Sequence, residues 1–238
     1  MTQVGAWPSA RGEGLRAGTP VAFSEAMHTP PPTLLLLTCW TCLIGCTASQ
    51  GFEPPLDRQN FDVDACTSTN AATLANLTPD EAVDFMEIRE QGSSTQRVGE
   101  VCGGAADFAA CEDAFASLRN PSGWELRPSG GAPSPQAWIV YTRGDEVGVV
   151  GRAEIAGFLA PVDTVADALF LAQIATLGTA QCGEDSVRRT PLGYEVITQT
   201  SYSCGGGREE SRVEVLTDGS TRVVERAVLD PGRDEICP

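Results

Sequence analysis

Apolar residues recur along this chain with two periods, and the period changes near its middle. Before residue 120 the spacing is helical. Thr78-Pro79-Asp80-Glu81 supplies an N-cap threonine, proline at the first helical position and a glutamate able to bond back to the cap. Ala82, Val83, Phe85, Met86 and Ile88 follow, and Gly92 ends the predicted helix. A second helix is predicted over 105–118, with Phe108, Cys111, Phe115 and Leu118 at three- and four-residue steps and Asn120-Pro121 as a stop. Residues 120–136, rich in Pro, Gly and Ser, predict a long loop.

Beyond the loop the period shortens to that of strands. Residues 138–142 and 147–150 flank Arg143-Gly144-Asp145-Glu146 as a hairpin. A third helix is expected from a cap near Asp163 to about Leu177, closed by Gly178. Val165, Ala168, Leu169, Ala172 and Ile174 leave it few polar interruptions, so it should be buried. Tyr194 to Tyr202 alternates as a strand with two distinct faces. Residues 212–216 and 221–228 surround Asp218-Gly219, a hairpin with two open registers: Val215 against Arg222, or Val213 against Val223. Together these elements predict an α+β domain: two N-terminal helices, then an antiparallel sheet of about six strands with one buried helix inserted.

The run from Thr33 to Ala48 is apolar for 16 residues, short of the about 20 that cross a bilayer as a helix. It ends in Leu43-Ile44-Gly45-Cys46. This segment resembles the signal peptide and lipobox of bacterial lipoproteins. The resemblance implies export, cleavage before Cys46 and lipid attachment to the Cys46 sulfur. Thr47, where a retention aspartate would stand, implies the outer rather than the inner membrane. It covers only the first fifth of the chain. A start at Met27 gives a signal of ordinary length, leaving residues 1–26 outside the protein. The expected organisation is a signal over 1–45, a lipid-proximal tether over 46–60 marked by Pro54-Pro55, and one exported domain over 61–238.

Composition narrows the chemistry. The chain has a formal charge of −16, and the four charged residues before Cys46 (Arg11, Glu13, Arg16 and Glu25) cancel. So acidic a domain repels phosphate backbones and anionic headgroups, which argues against nucleic acid as partner and leaves the membrane to the lipid anchor. There is no lysine, and the sole histidine, His28, lies in the signal. Ser-His-Asp and Cys-His sites, lysine Schiff bases and imidazole-bound metals are therefore excluded for the exported chain alone. Six cysteines remain after Cys46: Cys66, Cys102, Cys111, Cys182, Cys204 and Cys237. An even set in an oxidising compartment, with no C-x-x-C pair, predicts three disulfides. A hairpin centred on Gly193 would set Cys182 opposite Cys204. Proximity in sequence joins Cys102 to Cys111, and Cys66–Cys237 remains.

No other motif stands above its ordinary structural use. Arg143-Gly144-Asp145 matches an adhesion tripeptide but suits a turn. Asp62-x-Asp64 and Asp230-Pro-Gly-Arg-Asp234-Glu235 carry carboxylates without the twelve-residue calcium-loop pattern. The glycines after Cys102 and Cys204 have no Lys or His nearby to activate a thiol. Asn76-Leu77-Thr78 reads as a helix cap. No catalytic residue, metal ligand or cofactor is assigned. The expected function is a lipid-anchored, non-catalytic binding or assembly module for an envelope protein or glycan. The alternative is an envelope hydrolase working through paired carboxylates.

Overall fold

Four consecutive residues, Phe85, Met86, Glu87 and Ile88, are buried, and burial on both faces marks a central strand. The structure, a computed structural model, describes residues 52–67, 71–90, 93–120, 122–126, 134–182, 184–202 and 206–232. In it, strand β2 (Phe85–Glu90) lies between β3 (Ser93–Gly99) and β5 (Gln136–Arg143), antiparallel to both. The helix expected from Thr78 is not formed. Over so short a run the same apolar residues fit either period. Pairing on both sides satisfies the backbone of β2, whereas a helix of this length would be marginal alone. The would-be cap is used elsewhere: the Thr78 N–H donates to Asp167 Oδ1 at 2.9 Å.

The fold is therefore mainly β, not the α+β arrangement with two N-terminal helices and about six strands. Among the described residues, ten strands form two antiparallel five-stranded sheets, with three short helices. The first sheet has the order β1 (Val63–Asp64), β7 (Asp185–Thr190), β8 (Gly193–Ser201), β9 (Arg208–Leu216), β10 (Thr221–Asp230). The second runs β3-β2-β5, and the far side of β5 is shared by β4 (Trp124–Glu125) and β6 (Glu146–Val150). β3 escapes sequence patterning because all seven of its residues are exposed and it has no apolar period.

Helix α1 (Phe108–Ala116) occupies the second predicted helical span, while α2 (Ile155–Leu159) is a single short turn. Helix α3 (Val165–Thr176) is the buried helix, with every residue from Ala166 to Ala172 enclosed. It packs on the first sheet and meets the second through the edge-to-face contact of Phe170 with Trp124, centroids 5.7 Å apart. One core joins both sheets around it. Its cap is Thr164, one residue beyond the predicted Asp163; the Thr164 hydroxyl accepts the Asp167 N–H. At its other end Leu177, not Gly178, takes the left-handed conformation (φ 58°). Gly178 is needed because a side chain there would meet Thr200 and the Gln199 carbonyl of β8.

Register decides the cysteines. Thr190 pairs with Gly193 and Val187 with Val196, so Pro191-Leu192 makes the turn. Gly193 sits inside the strand, at φ 145°, where a Cβ would come 2.2 Å from the Val215 carbonyl oxygen. The hairpin is thus not centred on Gly193, and the expected Cys182–Cys204 pairing loses its geometric basis. Instead β1 pairs with β7, Val63 against Val187 and Asp64 against Asp185, which carries Cys66 to Cys182. These two are disulfide-bonded, replacing both Cys182–Cys204 and Cys66–Cys237. Cys204 and Cys237 lie outside the described residues. Cys102 and Cys111 are bonded to each other. The β9–β10 hairpin takes the register that sets Val213 against Val223.

Candidate functional site

Residues expected to end a tether instead lie on the protein. From Glu53 to Phe61 the chain forms a strap across the outer face of the first sheet, burying Leu56 and Phe61 against Ile197 and Ala227, with Leu229 packed at the margin. Glu53 holds the edge of β10: its N–H donates to the Val228 carbonyl at 3.1 Å and its carboxylate accepts the Val228 N–H at 2.7 Å. Asp62 then donates its N–H to the Val187 carbonyl and leads into β1.

Under the strap sits Glu210, a buried carboxylate on β9. It accepts the Leu56 N–H at 2.9 Å and pairs with Arg58 Nη2 at 2.6 Å. The same arginine nitrogen lies 3.0 Å from Glu184. Arg188 and Arg212 stand over the Phe61 ring, 5.1 and 5.8 Å from its centroid. Beside them opens a shallow cavity of about 430 Å³ whose walls include Glu53, Arg58, Glu184, Gln199, Arg208 and Glu210. The cavity brings together the acidic groups a hydrolase would require, but Arg58 bridges Glu184 and Glu210. Both carboxylates are held by that one guanidinium.

Replacing Arg58 by alanine should therefore strand Glu210 with the Leu56 amide alone, lowering stability by about 1–3 kcal/mol. Part of the pair's strength is lost to solvent, since Arg58 is one-fifth exposed. Urea unfolding measures the loss, and faster hydrogen exchange at Leu56 locates it in the strap. An unchanged Leu56 exchange rate would contradict the assignment.

Further along the same face Glu195 and Glu214 stand directly opposite each other. Each is balanced, Glu195 by Arg188 and Glu214 by Arg222, both at 2.6 Å. This part of the face is a ladder of opposite charges. Burial raises the pKa of Asp167 above the ordinary carboxyl value. It is fully enclosed in α3 and bonded to the Thr164 hydroxyl and the Thr78 N–H. Its carboxylate holds the Thr164 cap of α3 and staples the 78 segment to the helix.

The arginine-glycine-aspartate turn and the acidic turns at Asp64 and Asp230 are committed to structure. Arg143 lies over the Tyr141 ring and pairs with Glu81 and Glu146. The Gly144 N–H donates to Asp84, and Asp145 accepts the Asp107 N–H ahead of α1. Burial, followed by the bond to Glu146, pushes the Tyr141 hydroxyl up to about 12. The adhesion tripeptide thus cements the β5–β6 turn to α1. Asp64 accepts the Cys66 N–H and Asp230 the Gly232 N–H, so both act as turn carboxylates. Among the described residues no three His, Cys, Asp or Glu side chains gather as metal ligands. Cys46, Asp234 and Glu235 lie outside the described residues.

Arg58, Glu210, Leu56 and Phe61 were not singled out by sequence reasoning. The two isolated apolar residues within a polar stretch were the available signal, but nothing local identifies the sheet they cover. No protein-family model matches the chain, and no curated protein or solved structure matches it either.

Proposed function

We propose that this chain is a lipid-anchored protein of the cell envelope, held through Cys46, whose exported domain binds or assembles an envelope protein or glycan and carries out no catalysis of its own. The observation that carries the reading is the apolar run closed by Leu43-Ile44-Gly45-Cys46. Two features support it. The disulfides Cys66–Cys182 and Cys102–Cys111 suit an oxidising compartment. In the strap cavity Arg58 pairs with Glu184 and Glu210, and Glu53 accepts the Val228 N–H, so these carboxylates are engaged in holding the strap, which weighs against the alternative of an envelope hydrolase there. Two or three acyl chains hold a protein stably to a bilayer, as one does not. Thr47 favours the outer membrane.

Cys46→Ser tests the proposal directly. The variant should lose acyl labelling and move from the membrane to the soluble fraction. Full membrane retention of the unlabelled variant would overturn it.

A further inference from the structure

We infer that one end of the first sheet, where the strap begins and β8 and β10 finish, is the surface this domain lays against the bilayer, with Phe52 and Tyr202 as its lipid contacts. The inference rests on the reading of Cys46 as the acylated residue. Glu53 is pinned to Val228 by two hydrogen bonds. Seven residues of chain therefore separate the anchor from a fixed point on the fold, at most about 25 Å when fully extended and about 15 Å as a flexible coil. The opposite end of the sheet, with Pro191-Leu192 and Asp218-Gly219 at its turns, lies a further strand length away, about 23 Å from Val228 to Thr221. The anchor holds the first end close and leaves the other free to stand off.

Two exposed aromatic rings lie at that end, whereas the opposite turn exposes the aliphatic Leu192. Phe52, next to the pin, is 69% exposed, and Tyr202, at the close of β8, is 42% exposed. Tyr202 donates its N–H to the Gly207 carbonyl, and Gly207 packs against the backbone of Asp230 and Pro231 at the end of β10. Both rings therefore belong to the anchored end. Aromatic rings settle at the boundary of headgroups and acyl chains.

The test uses the mature acylated chain in vesicles of phosphatidylethanolamine and phosphatidylglycerol with acyl chains brominated near the headgroup. The native Trp124 and Trp138 are buried and give a constant background. Phe52→Trp and Tyr202→Trp should each lose most of the added emission, whereas Leu192→Trp at the opposite turn should keep it. Unquenched Trp at 52 and 202 in a chain that is acylated and sediments with the vesicles overturns the orientation and leaves the anchor reading intact. Equal quenching at 192 overturns it too, as does a residue 52 that is shielded from iodide in whole envelopes but unquenched by bromolipid, since a protein would then cover it. A wild-type chain with neither acyl group nor sedimentation overturns the anchor reading and this one with it.

Discussion

Replacing Cys66 and Cys182 together by alanine is expected to lower the stability of the domain by about 5 kcal/mol, the chain-entropy value for a loop of this length. The bond joins residues 116 apart in sequence, while Cys102 and Cys111 are nine apart. The shorter loop should give about 3 kcal/mol in the same model. The long bond also does local work. β1 is two residues long and, among the described residues, pairs only with β7. Cys66–Cys182 fixes that pairing and with it the landing point of the strap. Urea unfolding of the two double-alanine variants checks the order. A smaller loss for Cys66/Cys182 than for Cys102/Cys111 would show that the unfolded chain already brings β1 and β7 together.

Asp167→Ala is expected to cost about 2–4 kcal/mol, because it empties a fully enclosed position, takes the acceptor from the part-buried Thr78 N–H and opens the cap of α3. Asp167→Asn should be far milder: its oxygen can still accept from Thr78 and its amide can donate to Thr164. The two variants also differ from wild type in pH response. Burial raises the Asp167 pKa above its ordinary 3.8, so the folded state favours the protonated form more than the unfolded chain does. The stabilising contribution is full below the ordinary value and is lost as pH rises through the folded one. The asparagine variant lacks this loss. Its stability relative to wild type should therefore improve as pH rises from the acid range toward neutral, measured as the difference in urea midpoints. A difference that is flat with pH would mean that Asp167 titrates alike in both states.

How far the sequence could be read depended on whether the deciding contacts were local. α3 was legible because an almost uninterrupted apolar stretch has only one kind of place to go, the centre of a core. α1 and the hairpins at Gly144-Asp145 and Asp218-Gly219 were legible because caps and tight turns are made by neighbours in sequence. The apolar segment ending at Cys46 and the absence of lysine and of histidine beyond residue 28 likewise need no fold to be read.

The tertiary structure decided the rest. A run of apolar residues with a sound helix start became β2, because β3 and β5 supply it with partners on both sides. One glycine lodged beside β9, rather than at the turn, moved the β7–β8 register and with it the partner of Cys182. The strap resembled a tether because its apolar residues are few, and they become a site only against Ile197, Glu210 and Ala227, which lie more than 130 residues away in sequence. Propensity and turn chemistry act within a few residues, whereas strand pairing and burial join residues that no local pattern connects. That is why the elements made from within themselves, the local Cys102–Cys111 bond included, were readable, and the sheet order, the Cys66–Cys182 bond and the strap were not.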